Sequence, residues 1–339
     1  MERKKITSQD VAREAGVSRQ TVSRAINDRT EISPETRSRI LAIVERMGYR
    51  PSSIARGLAT QRTRTIGLVI PDVANPFFSE VARGAEQTAY AEGYTVFLCN
   101  TDENPDRELA ILNLLEEQRV DGVVLCSSRL DEETLQTTVA RHPTVVLVNR
   151  LLKGSEVGTV LLEDKLGAQI LTQHLINTGH KAIGFMSGPA ASTSGLKRAE
   201  GYFAALAAAA LPHNSGWIQP CAPTVDGGHE ATTILLNQHP ELTAIVGYND
   251  LVAIGAVQAC TDLGRVVPDS LAITGFDDIP LAALVTPPLT TCRVPRYEVG
   301  AQAMRLLLDR VNGCTDECEA IFLPPTLVVR ASAPQVQRM

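Results

Sequence analysis

From Thr65 onward the chain alternates short, continuous apolar runs with amphipathic helical segments, a pattern that few folds accept. Runs at residues 66–70, 94–98, 122–125 and 144–148 predict one series of strands, and runs at 182–186, 244–248 and 271–275 predict a second. Helical segments such as 78–92 and 107–118 lie between the strands of the first series. A strand that is apolar along its whole length is buried on both faces, which implies parallel sheets with helices on each side: an α/β fold. Roughly 270 residues exceed what one hydrophobic core usually organises, so two lobes are expected. Ligands of open parallel sheets bind beyond the carboxyl ends of the strands, which makes the interlobe cleft the place for a ligand.

The N-terminal segment is different in kind. Residues 1–64 hold fourteen Lys/Arg against seven Asp/Glu, whereas the remaining 275 hold 18 against 31. A basic end on an acidic chain suits a polyanionic partner. The pattern within it is that of a folded unit. Thr7-Ser8-Gln9-Asp10 has capping-box spacing, Val11, Ala12 and Ala15 form one apolar face, and Gly16 ends the first helix. Ser18 suits the N-cap of a second helix, with Val22 and Ile26 turned inward. Ser33-Pro34-Glu35 opens a third, which buries Ile40, Leu41, Val44 and Met47 and stops at Gly48. The expectation is a helix-turn-helix with a supporting helix.

The stretch ITSQDVAREAGVSRQTVSRAIN, residues 6–27, resembles the DNA-binding head of the lac repressor/gal repressor family of bacterial transcription regulators. The resemblance continues in family order through Gly48-Tyr49-Arg50-Pro51, Ala55-Arg56-Gly57-Leu58, Thr65-Ile66-Gly67, Gly275-Phe276-Asp277-Asp278 and Pro288-Leu289-Thr290-Thr291, and so covers nearly the whole chain. It implies a head over residues 1–50, a hinge and linker over 51–65, and a two-lobed core over 66–339 similar to periplasmic sugar-binding proteins. It implies that Arg19, Gln20 and Arg24 read bases in the major groove, chemistry that suits a guanidinium on guanine and an amide on adenine. Thr7, Ser18, Thr21, Ser23 and Asn27 are candidates for phosphate contacts, which position the head without specifying sequence. In the hinge, Ala55 and Leu58 correspond to the minor-groove element, where paired leucines wedge between central base pairs.

The same resemblance nominates effector contacts. Phe77, in Asn75-Pro76-Phe77-Phe78, matches a ring-stacking position. Ser192, Ser194 and Arg198 lie in a polar loop and the helix after it, and Asn249 and Asp277 follow two strands of the second series. Asn and Asp at such places also cap helices, and the two roles can coexist in one pair. An amide, a carboxylate, a guanidinium and an aromatic face suit a sugar or sugar acid. Two departures bear on the effector: Glu163-Asp164 stands where many relatives have Asp-Asn, and residues 220–226 offer none of the aromatic stacking found in a purine-binding relative.

The expected function is sequence-specific repression of transcription from a palindromic operator, by a homodimer under allosteric control of a small ligand. One alternative is a family regulator governed mainly by a protein corepressor, and another is a non-regulatory sugar-binding protein. No G-x-G-x-x-G, G-x-x-x-x-G-K-[ST] or HExxH sequence occurs, so an enzyme is not expected. The seven cysteines are dispersed, and Cys314 and Cys318 lack His or Cys neighbours, so neither a disulfide framework nor a metal or other cofactor is expected. Met1-Glu2-Arg3-Lys4-Lys5 leads into a polar helix without an apolar core, and no stretch is apolar enough to span a membrane, which points to the bacterial cytoplasm. Residues 330–339 carry no leucine heptads, so a dimer is expected rather than a tetramer.

Overall fold

The structure is a computed structural model that describes residues 6–26, 31–50, 62–314 and 320–335. It divides into two compact units, Met1–Thr63 and Arg64–Met339.

The first unit is built from α1 (Ser8–Ala15), α2 (Arg19–Ile26) and α3 (Pro34–Met47). The capping box closes in both directions, with Asp10 N–H donating to Thr7 Oγ1 and Thr7 N–H donating to Asp10 Oδ2 at 2.9 Å. Gly16 and Gly48, at φ near 64°, take the left-handed conformation that ends α1 and α3. Val11, Val22, Ala25 and Ile40 are fully buried, and Ile6, Val17, Ile26, Ile43, Val44 and Met47 pack around them. One expected core residue is not there: Leu41 is 39% exposed. On a helix that buries Ile40, the residues on the same stripe are Ile43, Val44 and Met47, and Leu41 stands about 100° away from it.

In the second unit, one sheet contains β1 (Thr65–Ile70), β2 (Thr95–Asn100), β3 (Gly122–Cys126), β4 (Val145–Val148), β5 (Gly158–Leu162) and, from the far end of the chain, β11 (Ile321–Leu323). All six run parallel in the order β11-β5-β4-β3-β1-β2. The second sheet joins β6 (Ile183–Met186), β7 (Ile218–Gln219), β8 (Ala244–Val246) and β9 (Ala272–Thr274), also parallel, in the order β7-β6-β8-β9. Helices α4 (Pro76–Ala91), α5 (Pro105–Glu117), α6 (Glu132–Val139) and α11 (Arg296–Val311) belong to the first lobe. The second has α7 (Asp164–Asn177), α8 (Thr193–Ala208), α9 (Val225–Gln238) and α10 (Asp250–Asp262). Among the described residues no helix is long and apolar enough to cross a membrane.

The chain crosses between lobes three times: from β5 into α7, from β10 (Thr291–Arg293) into α11, and from β11 into β12 (Thr326–Val328). β10 and β12 pair antiparallel, so two of the crossings form one ribbon. The seven expected strands all appear, with ends shifted by one or two residues. β2 departs from the fully buried pattern, because it is the sheet's edge and leaves Phe97 and Leu98 43% and 47% exposed.

Candidate functional site

In the head, α2 presents Arg19, Gln20 and Ser23 outward, beside the half-buried Thr21 and Arg24. The turn into it is held locally: Ser18 Oγ accepts from Thr21 N–H at 3.1 Å and lies 2.9 Å from Thr21 Oγ1. Thr7 uses its hydroxyl in the capping box. Arg24 Nε stands 3.1 Å from Glu31 Oε2. Asn27, Ala55 and Leu58 lie outside the described residues.

The cleft of the second unit gathers side chains from the carboxyl ends of both sheets. Asn75, Phe77 and Phe78 come from the start of α4, and Ser194 and Arg198 from α8. Tyr248, Asn249 and Asp277 follow β8 and β9. Phe77 and Phe78 meet edge to face, with centroids 4.9 Å apart. Of the expected effector residues only Ser192 stands behind the lining: it caps α8, accepting from Gly195 N–H at 3.1 Å, and its Oγ lies 2.9 Å from the Tyr248 hydroxyl. Asn249 does two things. Its Oδ1 caps α10 through Val252 N–H, its Nδ2 donates to Pro223 O, and the side chain still faces the cleft.

Arg198 is the centre of charge. Its Nε donates to Asp164 Oδ1 at 2.8 Å, Nη1 to Tyr248 O at 2.6 Å, and Nη2 lies 3.6 Å from Asp277 Oδ1. The guanidinium sits 3.7 Å from the centroid of the Phe276 ring, a cation–π contact that replaces some of the water lost on burial. Burial works against its charge, but Asp164 and Asp277 outweigh it and its pKa is raised. Asp277 is 5% exposed, and its Oδ1 makes no hydrogen bond among the described residues. Burial, only partly offset by Arg198, raises its pKa to about 7.

The neighbouring acids have structural work. Asp250 is fully buried, accepting from Thr291 Oγ1 and Ile279 N–H, and so ties α10 to β10 and the turn after β9. Asp278 accepts from Arg293 Nε at 2.6 Å and Arg330 Nη2 at 2.7 Å. Burial alone would raise its pKa, yet these two arginines leave it lowered.

The first lobe contributes residues that the sequence reading did not single out. Arg129 lines the cleft and donates from Nε and Nη2 to the two carboxylate oxygens of Glu103, at 2.6 and 3.1 Å, and from Nη1 to Ser127 O at 2.7 Å. Asn149 holds Leu162 N–H at 3.1 Å. Arg150 reaches across the lobes to Thr193 Oγ1 at 2.8 Å. Asp102, Glu103, Ser127, Asn149, Asp277 and Asp278 all have positive φ, from 50° to 104°. Strained backbone in non-glycine residues concentrates where side chains are aimed at a ligand. The space between the lobes is about 30 Å³, room for about two waters at roughly 10–15 Å³ each.

Comparison with known proteins finds matches to both units. The profile described as "Periplasmic binding proteins and sugar binding domain of LacI family" matches residues 63–331, and "Bacterial regulatory proteins, lacI family" matches residues 7–52. Catabolite control protein A of Priestia megaterium is 38% identical over 96% of this chain and 99% of its own length. The transcriptional regulator GalR of Salmonella typhimurium strain LT2 is 37% identical, with 96% and 95% covered. Among solved structures, the lac repressor dimer bound to operator and the anti-inducer ONPF superposes with a TM-score of 0.87 at 25% identity, covering 98% of this chain and 100% of that one. The CelR–cellobiose complex gives 0.74 at 31%, covering 96% and 99%.

Proposed function

The chain belongs to the LacI family of bacterial regulatory proteins, and from that premise we propose a division of labour among its residues. The protein is a DNA-binding transcription regulator of repressor type that acts on operator DNA as a dimer and answers to a small molecule. Its relatives are regulators rather than enzymes, and its place of work is the cytoplasm, where the DNA is. We assign base reading to Arg19, Gln20 and Arg24. Phosphate contacts fall to Thr7, Ser18, Thr21, Ser23 and Asn27, and the central minor-groove wedge to Ala55 and Leu58. The exposed edge at Tyr90, Phe97 and Leu98 is the apolar surface offered to the second copy.

For the effector, the observation that carries most weight is Asp277 Oδ1, buried at the cleft and without a hydrogen-bond donor among the described residues. A buried acceptor of this kind asks for a ligand hydroxyl. Both cleft guanidiniums are already neutralised, Arg129 by Glu103 and Arg198 by Asp164 and Asp277. An acidic ligand would displace one carboxylate and face another, so the cleft favours a neutral sugar over a sugar acid. Phe77 supplies the stacking face, and Ser194 and Asn249 supply further polar edges.

A hydroxyl donates to the ionised form of Asp277, so binding tightens as the pH rises through its pKa of about 7. For a single group this amounts to about tenfold between about pH 6 and about pH 8. Calorimetric titration with the sugar that changes operator affinity measures this directly, and weaker binding at the higher pH rejects the assignment. The function itself is tested by selecting duplexes from a random pool with the purified full-length protein, with and without a panel of neutral sugars. An enriched palindrome with an easily unstacked central step is expected, and its affinity should change with one sugar. Enrichment of no sequence under any condition would refute the operator reading.

A further inference from the structure

We infer that Glu31 is a positioning residue for operator specificity, acting by holding Arg24; this rests on the assignment of Arg24 as a base reader. Glu31 opens the described turn ahead of α3, and its Oε2 lies 3.1 Å from Arg24 Nε. Both side chains are partly exposed, 57% for Glu31 and 42% for Arg24. The pair is therefore weak in the free head, where water screens it. Its significance lies in the place it occupies.

An acidic side chain beside a recognition helix is unfavourable in one respect, since it repels phosphates and weakens attraction to every DNA sequence alike. What it supplies in exchange is geometry. Arginine has five donors in a fixed planar fork, and a carboxylate drawn to the Nε side, 3.1 Å away, leaves the two terminal nitrogens side by side, the spacing that matches guanine O6 and N7. The contact also removes rotamer freedom from a long side chain before it meets the base. It partly neutralises Arg24, so that this residue contributes less to indiscriminate phosphate binding. In the groove, where water is excluded, the same contact strengthens. Two further ion pairs of the head do different jobs: Glu14 with Arg46 joins α1 to α3, and Asp10 with Arg13 lies within α1. Glu31 reaches the reading helix from outside it.

The experiment measures full-length protein, at fixed salt, on three duplexes: the selected operator, that operator with the guanine facing Arg24 replaced, and a random sequence. Glu31→Ala should bind random DNA several-fold more tightly, because a repelling charge is gone, while its operator-to-replaced ratio falls roughly fivefold, the order of one good base contact. Glu31→Gln, which keeps the shape of the contact and loses its charge, should lower that ratio less than Glu31→Ala does. With Arg24→Ala already in place, Glu31→Ala should leave the ratio unchanged. Equal tightening on all three duplexes would overturn the inference and reduce Glu31 to a repelling charge. If Arg24→Ala alone leaves the ratio intact while Glu31→Ala lowers it, Arg24 is not the reader and the positioning role falls with it.

Discussion

Arg198→Ala should destabilise the two-lobed core by about 3–5 kcal/mol, the usual penalty for removing one partner of a buried charge cluster, and should abolish the response to effector. The guanidinium donates to Asp164, stands 3.6 Å from Asp277, and covers the Phe276 ring. Deleting it leaves two buried carboxylates facing one another and a void against an aromatic face. The penalty should depend on pH with a definite sign. Asp277 already has its pKa raised to about 7 with Arg198 present, and losing the cation raises it further. A carboxyl with a raised folded pKa holds a proton that the unfolded chain has released, so its contribution to stability falls as pH rises from the ordinary carboxylate range toward that value. Above about pH 7 wild-type Asp277 is ionised in folded and unfolded chain alike and its loss of stability levels off, whereas the variant still takes up a proton on folding and goes on losing stability as the pH rises. Urea unfolding at about pH 6 and about pH 8 should thus show a larger wild-type-to-variant gap at the higher pH. An equal gap at both would mean that Asp277 does not take up the charge imbalance. The head has its own core around Val11, Val22, Ala25 and Ile40, so weak binding to random DNA should survive in the variant.

Much of this was legible because strands, caps and glycine stops obey local rules. The capping box at Thr7 and Asp10 and the turn at Gly16 depend on residues three or four apart, and they formed as expected. The strand runs depend on apolar continuity, and all seven were found. What escaped depends on distant partners. β5 carries the first crossing, and β11 joins its edge from more than 150 residues away, a pairing no local window contains. The cleft lining of the second lobe was readable from polar pairs that follow strands. The same rule applied to the first lobe would have exposed Glu103 after β2, Ser127 and Arg129 after β3 and Asn149 after β4. That Arg129 would pair with Glu103, rather than stay free for a ligand, follows only from the folded arrangement of both loops. Leu41 was misplaced for a simpler reason: an apolar residue in an amphipathic helix was counted with the stripe it lies beside.

Gly300→Ala is the second large effect, and it tests how helix packing supports the cleft. α4 and α11 cross so closely that a Cβ at Gly300 would lie 1.9 Å from Val81 O, and one at Gly84 would lie 2.1 Å from Tyr297 O. Both obstacles are backbone, so no rotamer change relieves them and the helices must separate. Alanine in a helix interior is otherwise favoured over glycine by about 0.5–1 kcal/mol. Overpacking costs typically 1–3 kcal/mol, and with two rigid backbones in contact the upper end should prevail, giving a net loss of about 2 kcal/mol or more. Gly313→Ala separates this from a mere loss of glycine. It has φ of 89° and open space at its Cβ, so it should suffer only the left-handed penalty of roughly 1–2 kcal/mol and leave α4 where it is. The functional consequence follows from which helix moves. α4 is capped by Asn75, with Phe77 and Phe78 in its first turn at the cleft, so pushing it away from α11 shifts the ring proposed to stack on the ligand. Gly300→Ala should therefore weaken effector binding as well as stability, whereas Gly313→Ala should change stability alone. Unaltered effector affinity in a destabilised Gly300→Ala protein would show that the α4–α11 crossing supports the first lobe without setting the cleft's geometry.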